Sequence, residues 1–198
     1  MVRKAEPVSS GGSTKTTNLW LVCIWVVLIG LLAAGIGWDF GIRKNFGTVV
    51  PGKIYRSGQP SEAQLDKWIQ EYGFKSILVM RSGVPPYEQE LAERNGIKIY
   101  HVPFSAAKGL EEGQWETIRP ILTEESNLPI LVHCHGGGDR SGIVTVLYRV
   151  EVQGWTLEMA LREMNRYYHV SLRYPVLQRQ LRERFQEGPE EGAVQMAH

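Results

Sequence analysis

From residue 49 to residue 186 the chain alternates short apolar runs with longer stretches whose apolar residues recur on one helical face. GKIYRS (52–57) reads as a short strand, which the Gly-Gln-Pro turn at 58–60 ends. Ser61 then opens a helix. Gln64 completes a capping box, Leu65, Trp68 and Ile69 share a face, and Gly73 closes it. SILVM (76–80) is apolar throughout, as expected of a strand covered on both faces. EQELAERNG predicts a helix stopped by Gly96, IKIYHVPF (97–104) a second strand, and 105–113 a glycine-containing loop. A helix over 113–126 should bend at Pro120. PILVHC (129–134) is the next buried strand, and 142–153 a helix rich in Val, Ile and Leu. Thr156 opens a further helix, and Pro175 suits the first turn of a last one ending at Phe185. Strands alternating with helices predict an α/β fold. Its centre should be a mostly parallel sheet of about four to five strands flanked by helices.

The segment before this domain follows another pattern. Residues 1–18 are polar and rich in Gly, Ser and Thr, as a flexible tail is. Residues 19–38 (LWLVCIWVVLIGLLAAGIGW) carry no charge, and a bilayer asks about 20 apolar residues of a spanning helix. Trp20 and Trp38 stand near its ends as interfacial anchors would. A cleavable signal peptide is the rival reading, but its apolar region is normally about 7–15 residues, and Ala33-Ala34-Gly35 is a poor cleavage site. A single-pass membrane anchor is therefore expected. Arg3, Lys4 and Lys15 precede the span, while Arg43, Lys44, Lys53 and Arg56 follow it. Keeping the short basic tail inside places the main domain outside the cytoplasm. Residues 39–48 read as a linker, 49–186 as one domain, and 187–198 as a disordered tail. At 198 residues and 43% hydrophobic the chain buries one core rather than two. A net charge of +1 gives no electrostatic case for a nucleic-acid partner.

The chemistry concentrates in HCHGGGDRSG (133–142), between a buried strand and a helix start. In open α/β sheets, ligands bind at the carboxyl ends of strands, where this turn lies. Of the two cysteines, Cys23 lies in the apolar span as a small apolar residue, so Cys134 has no disulfide partner in the domain. Gly136, Gly137 and Gly138 let the amides that follow Cys134 curl around one centre, and the helix adds its positive end. That is a socket for a dianion, and its field favours a thiolate at Cys134. Arg140 supplies a planar fork matched to phosphate oxygens. Ser141 is placed to donate to the sulfur. His133 reads as orienting the cysteine from beneath the loop; His135 either contacts substrate or is solvated. Metal ligation by His133, Cys134 and His135 is disfavoured, because His101, His169 and His198 complete no spaced cluster. Arg56 and Arg81, each at a strand end, either border the pocket or are solvated, and surface solvation is the preferred reading for Arg56. His101 reads as structural.

Cysteine, five residues, then Arg and Ser resembles the cysteine-dependent phosphatase superfamily of protein tyrosine and dual-specificity phosphatases, with its signature H-C-x5-R-[ST]. His133, Cys134, Arg140 and Ser141 match that signature. GKIYRSGQPS (52–61), ILVMR (77–81) and YRVEVQGWTLEMALREM (148–164) are similar to other segments of compact bacterial and fungal members. The resemblance implies hydrolysis of phosphate monoesters through a phosphocysteine on Cys134, with Arg140 and the loop amides holding the equatorial oxygens and no metal or cofactor. No Asp lies between Asp66 and Asp139, so the usual upstream acid is missing. Members with C-x4-D-R imply Asp139 as the general acid, its alternatives being a structural role or an acid at Glu111 or Glu112. Gly138 stands where such members often carry Lys, which favours phosphotyrosine protein over phosphoinositide as partner. A sulfurtransferase or a disabled, membrane-tethered phospho-binding module are the rival classes. Arg140 and Ser141 closing the loop argue against the first, and an intact Cys134–Arg140 pair against the second.

Overall fold

The computed structural model describes residues 14–37, 44–167 and 174–186, with side chains in the first segment from 19 to 34. The chain divides into two compact units, residues 1–42 and 43–198. In the first unit a helix, α1 (Thr14–Gly37), forms over the apolar run, its side chains from Leu19 to Leu32 exposed. Among the described residues no helix is long and apolar enough to cross a membrane, so the spanning segment expected over 19–38 is not supported. Trp38, most of the expected tail and linker, and the C-terminal 187–198 lie outside the described residues.

The second unit is built on a five-stranded sheet of order β1-β2-β5-β3-β4. Its strands are β1 (Gly47–Val50), β2 (Ile54–Ser57), β3 (Ser76–Val79), β4 (Lys98–His101) and β5 (Ile130–His133). Only β1 runs antiparallel, paired to β2; the other neighbours are parallel, giving the mostly parallel α/β sheet the sequence predicts. Strand β1 falls partly in the stretch read as a linker. It was hidden because GTVV is too short to show alternation. The strand expected over 97–104 stops at His101.

Alternation along each strand divides the core. Ile54, Leu78, Met80, Ile130, Val132 and Cys134 belong to one cluster, with helices α4 (Gln114–Thr123), α5 (Arg140–Leu147), α6 (Leu157–Arg166) and α7 (Pro175–Gln186). Tyr55, Ile77, Val79 and Leu131 belong to the other, with α2 (Glu62–Tyr72) and α3 (Pro86–Arg94). Helix α2 carries both halves of the Ser61–Gln64 capping box and ends on Gly73 at φ 62°. Helix α4 stops at Thr123 and is followed by a 3₁₀ turn, whereas α5 ends early at Leu147 and passes into a π turn over Tyr148–Val152. Arg149 in that turn is bonded through Nε and Nη2 to both carboxylate oxygens of Glu163, at 2.7 and 2.6 Å, tying α5 to α6.

Candidate active site

The central position of β5 decides where Cys134 emerges. Ser57 of β2 and Val79 of β3 both lie in register with His133, so the three strands end together and the chain leaves the middle of the sheet as the 134–139 loop. Cys134 is 2% exposed. Its amide donates to the Ser57 carbonyl at 3.4 Å, and its Sγ accepts the Gly137 N–H at 3.2 Å.

What shapes this loop lies behind it. The His135 carbonyl accepts the Gln59 N–H at 3.0 Å. The Gly136 carbonyl accepts from Asn45 Nδ2 at 3.3 Å. The Gly137 carbonyl accepts from Arg56 Nη2, and the same nitrogen reaches the Gly138 carbonyl at 3.4 Å. Four successive carbonyls are thus held by the scaffold. In a trans peptide plane the N–H of the next residue points away from that carbonyl. The amides of Gly136, Gly137, Gly138 and Asp139 therefore turn from the scaffold, and Gly137 N–H is found on the sulfur. Of the cradle the sequence predicts, the Gly137 amide is the member seen on the sulfur.

Glycine is required most clearly at one of its positions. Gly137 has φ +77°, and a Cβ there would come within 2.4 Å of the Gly58 nitrogen. A Cβ on Gly136 would meet nothing within 4 Å, so space does not demand glycine there. The turn after β2 and the 134–139 loop are in backbone contact, which explains Gly58 in GKIYRSGQPS as well.

Arg56 corrects its sequence reading outright: it is not on the surface but 0% exposed. It follows Ile54 on the inward face of β2, with its guanidinium 4.0 Å from the Tyr167 ring centroid and Nη1 3.5 Å from Thr145 Oγ1. Burial brings its pKa down to about 10, against opposing pulls from Tyr167, Cys134 and Glu163. It remains a cation at neutral pH.

His133 is also fully buried. Its Nε2 lies 2.6 Å from Glu88 Oε1, and its Nδ1 3.4 Å from the Cys134 carbonyl. Burial alone would raise the Glu88 carboxyl. The hydrogen bond and charge of His133, with Gln59 and Arg81, outweigh it and hold the group below the usual carboxylate value. Gln59 links the set: Nε2 donates to Glu88 Oε2 at 3.0 Å, and Oε1 accepts from Arg81 Nη1 at 3.0 Å. Arg81 thus belongs to this polar border, and His101 Nε2 is 2.8 Å from its carbonyl.

Of the expected functional side chains, Arg140 opens α5 and is held through Nη1 by the carbonyls of Met80 at 3.0 Å and Phe104 at 3.4 Å. Ser141 departs from expectation: its hydroxyl donates to the Ser57 carbonyl at 3.3 Å rather than to the sulfur. That acceptor, at the end of a neighbouring strand, fixes the loop's closing turn to β2. His135 is exposed. Asp139 is half-buried at the N-cap of α5, with its carbonyl accepting the Ile143 N–H at 2.9 Å. Glu111 and Glu112 instead line a groove of about 460 Å³ beside Trp115 and Leu181. Their loop is fastened to α7 by Gln180, which bonds both the N–H and the carbonyl of Leu110, at 3.1 and 3.0 Å. Among the described residues no group of three or more His, Cys, Asp or Glu is placed to hold a metal ion.

A central parallel strand delivering a cysteine into an amide cradle closed by arginine defines the architecture of the cysteine-dependent phosphatases. Residues 42–191 match the model of the tyrosine phosphatase family, and the chain belongs to that family. It is 27% identical over 113 residues to the dual specificity protein phosphatase TpbA of Pseudomonas aeruginosa, covering 57% of this chain and 50% of the relative. It is 32% identical over 129 residues to the inositol diphosphatase SIW14 of Saccharomyces cerevisiae, covering 63% of this chain and 45% of that one. The chain therefore spans about half the length of these curated relatives. The solved core catalytic domain of SIW14 from S. cerevisiae superposes with a TM-score of 0.61 at 28% identity, over 68% of this chain and 84% of that one.

Proposed function

We propose that the domain hydrolyses phosphate monoesters through a phosphocysteine. The observation that carries this reading is the set of four loop carbonyls bonded to Gln59, Asn45 and Arg56, which turns the following amides from the scaffold and sets the Gly137 N–H on Cys134 Sγ. Cys134 Sγ attacks phosphorus, the P–O bond to the leaving group breaks, and Asp139 gives that oxygen its proton. Water, deprotonated by the same carboxylate, then displaces the sulfur and releases inorganic phosphate. Arg140 and the amides bind the equatorial oxygens, where charge accumulates. Asp139 is preferred to Glu111 and Glu112 because it sits beside Arg140, whereas those two face the groove against α7.

Phosphotyrosine protein is the preferred substrate. It agrees with the family and with Gly138, which adds no cation to the loop. The match to SIW14 supports a second reading, an inositol diphosphate as substrate. Attachment to a membrane through 19–38, with the domain outside the cytoplasm, is a proposal that rests on the charge-free run and the basic tail alone.

The test is hydrolysis of an aryl phosphate by the full chain. Cys134→Ser should abolish it, and a trapped phosphoenzyme should carry its label on Cys134. Undiminished hydrolysis by Cys134→Ser overturns the reading. Parallel assays on a phosphotyrosine peptide and an inositol diphosphate decide between the two substrates.

A further inference from the structure

We infer that Arg56 is a positioning residue for the oxyanion: a buried cation that holds the Gly137 and Gly138 carbonyls outward, so that the loop binds phosphate without first rearranging. This rests on the phosphatase reading above and adds to it a residue outside the cysteine-to-arginine motif.

Burying a guanidinium is costly unless its donors are used. Arg56 is 0% exposed, and among the described residues no hydrogen bond of its own to a carboxylate offsets that cost. Its acceptors are instead the two loop carbonyls and Thr145 Oγ1, with the Tyr167 ring stacked at 4.0 Å. Its Nε has no hydrogen-bond partner among the described residues. A residue kept for stability alone would be better replaced by an apolar side chain beside Ile54. The cation instead points at the one segment whose peptide planes have to face a set way. Each carbonyl drawn toward Arg56 turns the next amide, of Gly138 or Asp139, away from it. The charge also lies close enough to Cys134 for the two to interact electrostatically. A positive charge behind the loop favours a dianion bound in front of it.

Preorganisation of this kind predicts loss of affinity for an anion that never reacts. The probe is tungstate, added to the full chain, with binding read by calorimetry and by protection of Cys134 from iodoacetate. Arg56→Met should bind tungstate about tenfold more weakly or worse, from loss of charge-assisted bonds. Arg56→Lys keeps the charge but reaches fewer carbonyls, and should recover part of this, ending roughly threefold below the natural chain. Leu65→Ala, in the core cluster on the opposite sheet face, supplies the control: it lowers Tm but should leave tungstate affinity unchanged. Undiminished tungstate binding by Arg56→Met overturns the inference. So does a loss in Leu65→Ala that tracks its fall in Tm, since Arg56 would then act through stability alone. If Arg56→Met does not fold, Arg56→Lys decides, and unchanged tungstate affinity there overturns it. A natural chain that neither binds tungstate nor cleaves an aryl phosphate fells the phosphatase reading and this inference together. A natural chain that does both, with Arg56→Met binding normally, fells only the inference.

Discussion

Two arginines serve the 134–139 loop, and they differ in nearly every physical respect. Arg140 closes the loop, is half-buried, and rests by one nitrogen on the carbonyls of Met80 and Phe104. Arg56 stands behind the loop, has no exposed surface, and turns Nη2 to the carbonyls of Gly137 and Gly138 and Nη1 to Thr145. A fork held by one nitrogen keeps donors for a substrate; a fork enclosed by protein does not. Arg140 is thus suited to charge that develops during the reaction, and Arg56 to geometry that exists before it. The same split divides the neighbouring residues. Cys134 and Asp139 go with Arg140, while Asn45, Gln59, Glu88 and His133 go with Arg56.

The largest effects should fall on the reacting side. An alkyl alkoxide leaves badly without a proton, whereas an activated phenolate needs little help. General acid catalysis is worth about 10²–10⁴-fold, so Asp139→Asn should slow an alkyl phosphate by roughly that factor and an activated aryl phosphate far less. An equal loss on both, with weaker tungstate binding, would make Asp139 part of the scaffold and pass the proton to Glu111 or Glu112. Arg140→Met comes next. Removing one preorganised oxyanion donor costs about 10²–10³ in kcat, with little change in Tm because its side chain is only half-buried. If Arg140→Met lowers Tm as far as Arg56→Met does while kcat holds, the contrast between the two arginines is wrong.

The residues proposed to react were nominated by the sequence and the supporting ones were not, for a physical reason. Cys134, Arg140 and the glycines sit within one continuous segment, so spacing alone displays them. Asn45, Arg56 and Glu88 reach this segment from 91, 81 and 45 residues away, through tertiary contact. A signal for Arg56 was present nonetheless. Tyr55 and Ile54 are apolar on opposite faces of β2, and period-2 alternation places residue 56 inward with Ile54. Charge overrode pattern in reading it as solvated. Ser141 failed differently: its residue type was right, but a strand-end carbonyl at Ser57 lay within reach of its hydroxyl. The parallel sheet, the capping box at Ser61 and the stop at Gly73 followed from local rules and are seen. Strand β1 did not, because four residues on a sheet edge carry too little pattern.

The smallest effect tests the supporting side by pH. Glu88 bonds His133 at 2.6 Å with neither exposed, and its folded pKa lies below the ordinary value of the unfolded chain. A carboxylate depressed in this way contributes stability that is fully present above the unfolded value, about 4.3, and is lost as pH falls through the lower folded value. Glu88→Gln keeps the size and one hydrogen bond but removes the charge, at a cost of about 1–3 kcal/mol. For a chain of this length that lowers Tm by roughly 2–12 °C near neutral pH. The gap between the natural chain and Glu88→Gln should narrow as the solution is taken below about pH 4, where the natural carboxylate itself becomes protonated. At neutral pH the aryl phosphate kcat should fall less than it does in Arg140→Met, because Glu88 acts on Cys134 only through His133 and the backbone. A Tm gap that stays constant down to pH 3 would mean that packing rather than charge holds Glu88 in place. A kcat loss as large as that of Arg140→Met would move the Glu88–His133 pair across to the reacting side of the loop.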